Sequence, residues 1–290
     1  MSNVIFKLFS LYFLGIASLF FGQQKNQMDV NTIFICIDSV SYQNIFKDPF
    51  IRNSLFVCRE QTTKTTEESY TGKYAIGKSA TLEFFQPVKE NKFGNHLGDF
   101  GIEFKTRKLG TLNTLIANVK KPNSFKEALK TVPDDQEKPL PWYKEYTSGH
   151  ENYELSILEY QKEYLESLDF SASQINTAMT FSEFNEKLSN GKKYPRLFDQ
   201  LKSIELIIGK NDLEKLKEFS EFTGLTASKN QFSNSDFSIK YRIDKNQKGI
   251  KVQKISFSLL SSQKERTIKV SDKIVFRIQK RKLKYSLNKN

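Results

Sequence analysis

Carboxylates set within apolar strands are the residues best placed to do chemistry in this sequence. Glu83 lies in Thr81-Leu82-Glu83-Phe84-Phe85, Glu103 in Gly101-Ile102-Glu103-Phe104, and Glu159 in Ile157-Leu158-Glu159-Tyr160. Side chains alternate between the two faces of a strand. Leu82 and Phe84 therefore share an apolar face, and Thr81, Glu83 and Phe85 share the other. In the opening strand Ile33, Ile35 and Ile37 form the apolar face, opposed by Thr32, Phe34 and Cys36. The same reading turns Gly101 and Glu103, and Ile157 and Glu159, away from the helices. Carboxylates gathered on one sheltered face have raised pKa values and suit proton transfer. The plainer alternative is a water-filled cleft in which they pair with Lys73 or Arg59.

Other reactive groups are sparse. The sequence contains 2 His and 2 Cys. His96 and His150 both fall in loop-like stretches beside glycine. Cys36 and Cys58 lie in apolar strand-like runs, where they either bridge in an oxidising compartment or stay as buried thiols. Ser148-Gly149-His150 lacks the strand-turn-helix setting of a nucleophile elbow. There is no phosphate-binding glycine loop, zinc-protease helix or dinucleotide fingerprint. Nucleic-acid modules are absent too.

The elements that must position the carboxylates follow a repeated order. A strand over Thr32-Ile33-Phe34-Ile35-Cys36-Ile37 leads through Asp38-Ser39, a helix cap, into a helix that Pro49 stops. Strands over residues 55–60, 70–76 and 81–85 complete a βαβββ unit. A second unit restarts at Phe100. Its helix shows Leu112, Leu115, Ile116 and Val119 at helical spacing, and its closing strand covers residues 155–161. Residues 166–200 read as a connector with one short helix over 182–188. The third unit has a strand at 204–208, a helix opened by Asn211-Asp212 and closed by Gly224, then alternating strands around Tyr241, Phe257 and Phe276.

Repeated βαβββ units with a Leu-Glu-aromatic fourth strand resemble the vicinal-oxygen-chelate superfamily of glyoxalases, bleomycin-resistance proteins and extradiol dioxygenases. Asn31-Thr32-Ile33-Phe34, Ser69-Tyr70-Thr71-Gly72, Leu82-Glu83-Phe84-Phe85, Gly98-Asp99-Phe100-Gly101 and Leu140-Pro141-Trp142 are similar to an uncharacterised glyoxalase-like bacterial family. The resemblance covers residues 31–165, and the third unit in pattern only. It implies an α+β fold of curved mixed sheets around a cleft, with metal ligands on the first and fourth strands of each unit. Glu83 and Glu159 fall at the implied carboxylate positions. Thr32 and Gly101 stand where His or Gln is expected, which departs from the family pattern. Two carboxylates alone hold a transition metal weakly; an oxygen-rich divalent site with Glu103 is the remaining form. The cleft candidates are Thr32, Phe34, Glu83, Phe85, Glu103 and Glu159.

The expected organisation is a signal peptide over residues 1–22, a polar linker over 23–30, a two-unit glyoxalase-like domain over 31–165, the connector, and a C-terminal α+β unit over 201–290. Lys7 precedes an apolar run ending at Gly22, shorter than the roughly 20 residues that span a bilayer. The mature chain is thus expected in the periplasm or secreted, with no stable membrane span. Three functions are compatible with this reading. The first is binding of a small molecule in the cleft. The second is a metal-assisted lyase, isomerase or dioxygenase using Glu83 and Glu159. The third is a non-catalytic module contacting anionic surfaces, since the net charge is +12 and Lys280-Arg281-Lys282-Leu283-Lys284 concentrates it at the C-terminus.

Overall fold

A computed structural model of the protein describes residues 27–90, 92–118, 124–150, 152–189 and 196–287. The expected signal segment, residues 1–22, lies outside them. Among the described residues no helix is long and apolar enough to cross a membrane.

The first unit runs β1 (Met28–Cys36), α1 (Ser39–Asn44), β2 (Val57–Lys64), β3 (Ser69–Ile76) and β4 (Thr81–Phe85). The second runs β5 (Phe100–Thr106), α2 (Thr111–Asn118), β6 (Lys126–Pro133), β7 (Pro139–His150) and β8 (Tyr153–Tyr160). Together they build one 8-stranded sheet in the order β2-β3-β4-β1-β5-β8-β7-β6. β1 is parallel to β4, β5 is parallel to β8, and β1 and β5 meet antiparallel at the centre. Each unit therefore repeats the other about the β1–β5 seam. This is the mixed α+β, glyoxalase-like architecture expected from the repeats. β1 begins inside the expected polar linker, because Met28, Asp29 and Val30 pair with Thr106, Lys105 and Phe104.

The sheet is curled. Its outermost strands are seven neighbour spacings apart, about 34 Å if flat. Yet the β2–β3 turn reaches β6: Thr66 N–H donates to Thr131 O at 3.2 Å, and Lys64 pairs with Glu137 of the β6–β7 turn at 3.0 Å. The two edges thus close on each other at one end and leave a trough between them.

The convex face carries the core. Ile33, Ile35, Leu82, Phe84, Ile102 and Phe104 are fully buried there. They pack against the helices and against a second, 6-stranded sheet in the order β10-β11-β12-β9-β13-β14. Its strands are β9 (Phe198–Ile208), β10 (Thr226–Ser228), β11 (Gln231–Ser233), β12 (Ser238–Ile243), β13 (Ile250–Lys269) and β14 (Ile274–Leu287), with the helix α6 (Leu213–Phe222) between β9 and β10 in the chain. Aromatic rings join the two sheets: Phe104 meets Phe219 and Phe237 edge-on at 5.5 and 6.0 Å, and Phe56 meets Phe276 at 6.0 Å. Large rings of this kind supply much of the buried apolar area.

Two sequence expectations change here. The three strands expected to finish the third unit are β12, β13 and β14, whereas the unit's own middle strands, β10 and β11, are 3 residues each. β13 takes the place of β5, antiparallel to the unit's first strand, and β14 turns back on it as a hairpin. Three helices rather than one link the two sheets: α3 (Lys162–Ser167), which begins before the expected connector, and α4 (Ala172–Ile175) and α5 (Phe181–Leu188) within it. Capping boxes at Ser171 and Thr180 start the last two, and Leu165, Phe170, Ile175 and Phe184 form their own small core.

Candidate functional site

The trough is lined by the side of each strand that faces away from the helices. Thr32, Phe34, Glu83, Phe85 and Glu103 all lie on it. Phe34 is the register partner of Glu83 on one side and Gly101 on the other, and Thr32 faces Glu103. A bulge between Val30 and Thr32 sets two β1 residues opposite Glu103 and turns Asn31 into the trough as well. There the Asn31 amide donates to the Glu103 carboxyl, and the Thr32 hydroxyl donates to Glu83.

Two further carboxylates join them. Glu145 faces Leu158 across β7 and β8, and Glu154 faces Gly101 across β5 and β8, so both share the parity of Glu103. All four are half-buried. Burial pushes Glu83 up to about 7. Burial, with the charges of Glu83, Glu145 and Glu154, pushes Glu103 up to about 8 against the Asn31 hydrogen bond. Glu154 rises to about 7 by burial and the charge of Glu145. Glu145 is raised by burial, opposed by Lys130, whose ammonium lies 3.8 Å away. Among the described residues this is the one ion pair reaching the four.

Aromatic rings complete the walls. Phe34 meets Phe85 at 6.2 Å and Phe93 at 5.5 Å, and Tyr70 meets Phe85 at 5.9 Å, all edge-on. Burial raises the hydroxyl pKa of Tyr70, Tyr74 and Tyr143, with the trough carboxylates adding to it. At the end where β1 begins, α5 closes the trough: Phe184 stacks on Tyr160 at 4.8 Å, and the buried Lys105 ammonium sits 4.5 Å above the Phe184 ring. Burial lowers that ammonium to about 8.

Glu159 is not in the trough. It shares its face with Tyr153, Leu155 and Ile157, which are fully buried in the convex core. Its carboxylate accepts from Gly110 N–H at 2.8 Å, Leu112 N–H at 2.9 Å and the Thr106 hydroxyl at 3.0 Å. It is a remote cap for the first turn of α2. The alternation misleads because β8 is buried on both faces: Leu155 through Glu159 are all buried, and a strand covered on both sides loses its polar alternation. Lys73 likewise lies on the convex side, donating to Tyr42 O at 2.9 Å. Cys36 and Cys58 are free thiols, each pushed up to about 12, chiefly by burial.

The implied metal does not fit the residues present. Glu83 and Glu159 lie on opposite faces of the sheet and cannot share an ion. Thr32 and Asn31 offer donor groups to the trough carboxylates rather than imidazole nitrogens. At Gly101, an added Cβ would fall 2.0 Å from Phe34 Cε1, so the Phe34 ring fills the space where a ligand side chain would stand. Among the described residues no cluster of three His, Cys, Asp or Glu could hold a metal. Gly101→Ala is expected to destabilise the protein by roughly 1–2 kcal/mol by displacing the ring. The cost should vanish in a Phe34→Ala background, a coupling that a thermal double-mutant cycle measures.

Residues 30–286 match the model of a family of unknown function, DUF5829. The chain belongs to this family. The match takes in both sheets, so the DUF5829 unit is the whole two-sheet body rather than the first sheet alone. No curated protein matches the chain. Among solved structures, a fusion protein of a xylose isomerase-like TIM barrel and a 4-hydroxyphenylpyruvate dioxygenase is similar at 9% identity and a TM-score of 0.42. The similarity covers 78% of this chain and 35% of that one, so the chain spans about a third of the fusion protein. The 2,3-dioxygenase LapB from Pseudomonas sp. KL28 is similar at 13% identity and a TM-score of 0.36, over 78% of this chain and 72% of that one.

Proposed function

We propose that this DUF5829 chain is an exported binding protein whose trough takes a small organic cation. The observation that carries the reading is the excess of carboxylates over cations on the trough face. Burial disfavours the charges of Glu83, Glu103 and Glu154 and raises their pKa values, and neighbouring carboxylates add to the rise at Glu103 and Glu154. A cationic guest supplies the opposite charge that favours the ionised carboxylates and offsets their repulsion, and aromatic faces add cation–π attraction. Export rests on the apolar run that ends at Gly22.

Choline tests the charge requirement, since its quaternary ammonium carries no titrating proton, and 3,3-dimethylbutan-1-ol is its neutral isostere. Calorimetry at about pH 8.5 is expected to show choline binding that weakens at least about tenfold at about pH 6, as the carboxylates regain protons. Glu83→Gln and Glu103→Gln together should abolish it with the fold intact. Equal binding of the neutral isostere, or no binding of choline at millimolar concentration, would contradict a cation site.

A further inference from the structure

A groove lies beside α5 at the end of the trough wall formed by β2 and β3, where Val57 pairs with Ile76 and Ile76 with Thr81 on the trough face; its charge is opposite to that of the carboxylate cluster. It encloses about 480 Å³, within the roughly 300–1,000 Å³ typical of small-molecule sites. Its walls are largely apolar: Val57, Ile76 and Phe198 form the floor, and Leu188 and Leu260 form the rim. Those two leucines are 40% and 47% exposed, so an apolar guest would cover surface that now faces water.

The charged groups of this groove are mostly cationic. Arg59, Lys78 and Arg196 line it, against the single exposed carboxylate of Glu186. Among the described residues none of the three cations is held in a salt bridge. The Arg196 guanidinium donates one Nη1 hydrogen bond to Asn53 O, while among the described residues its buried Nε has no partner, and neither has the buried Asn185 Nδ2 on the facing helix. Buried donors without acceptors are costly. Both residues line the groove beside its apolar floor, a combination that suits an anionic head with a hydrocarbon body.

We infer that this groove binds an amphipathic monoanion, with its head on Arg196, Asn185 and Arg59 and its alkyl chain over Val57, Ile76 and Leu260. The site lies on the same sheet face as the carboxylate cluster, with Tyr74 between Arg59 and Glu83 in the strand register; it differs from that cluster in charge and lining and does not rest on the cation reading.

Decanoate, 1-decanol and decylammonium share a chain and differ in head charge, so calorimetric titration of the full mature chain with each separates head from tail. Decanoate is expected to bind, decylammonium not to bind, and decanol to bind at least about tenfold more weakly than decanoate. Arg196→Gln should cost decanoate about tenfold or more. Because Arg196 also holds Asn53, Arg59→Gln, an exposed strand residue outside the core, provides the variant whose folding is secure and should weaken decanoate several-fold. Leu260→Ser should weaken decanoate and decanol alike. Decanol binding as tightly as decanoate, unchanged decanoate affinity in Arg59→Gln, or no decanoate binding up to about 1 mM would overturn the assignment.

Discussion

Glu159→Ala is expected to lower stability by about 3 kcal/mol, and the melting temperature by several degrees, without changing the trough. The carboxylate is buried and receives three donors: the Gly110 and Leu112 amides and the Thr106 hydroxyl. Alanine leaves all three without their acceptor in a region where Leu112 is fully buried. Each lost buried acceptor costs on the order of 1 kcal/mol or more, and a lost helix cap alone costs about 1. Glu159→Gln keeps one acceptor oxygen but brings an amide donor against N–H groups, so it should fall between parent and alanine. Thermal unfolding and amide exchange across residues 110–112 measure the effect. An unchanged melting temperature would mean that Glu159 serves something other than the α2 cap.

Glu103→Gln is expected to stabilise the protein at alkaline pH and to do little near pH 5. Glu103 has its pKa raised from 4.5 to about 8 in the fold, so between those values the folded chain retains a proton that the unfolded chain has released. Stability therefore falls as pH rises through this window. Glutamine retains the acceptor for Asn31 and carries no charge, and so removes the penalty. The gain above pH 8 should be on the order of 2 kcal/mol after partial solvent relaxation. Glu83 and Glu154, both raised to about 7, contribute in the same direction over a narrower window. Urea unfolding of parent and variant from about pH 5 to 9 is the check, and parallel curves at every pH would refute raised carboxylate pKa values in the trough.

How much of this was legible in the sequence depended on how each strand is covered. β1, β4 and β5 each have one apolar face and one mixed face, so period-two alternation placed Thr32, Phe34, Glu83, Phe85 and Glu103 on the correct side. β8 is apolar on both sides, so its parity was ambiguous and Glu159 was assigned to the wrong face. Glu145 carries no strand signal because β7 opens with Pro139 and Pro141, residues that ordinarily mark a break rather than a strand. Pro141 sits at a register shift opposite Thr131, where a missing N–H is tolerated. Asn31 enters the site only through a bulge, a feature without a periodic signal. β10 and β11 are too short to carry any alternation, and α3 and α4 too short for a helical repeat. Function was less legible still, since the expected metal pair depended on parity in the one strand where parity failed.

Proton release on cation binding is the most direct test of the trough. Choline titrations of the parent near pH 7 in two buffers of different ionisation enthalpy give the number of protons exchanged. Because choline does not titrate, any proton must come from the protein. The account predicts net release that disappears in the Glu83→Gln/Glu103→Gln variant along with the binding itself. Binding with no proton exchange, equally strong in parent and variant, would show that these carboxylates are not where a cation is held.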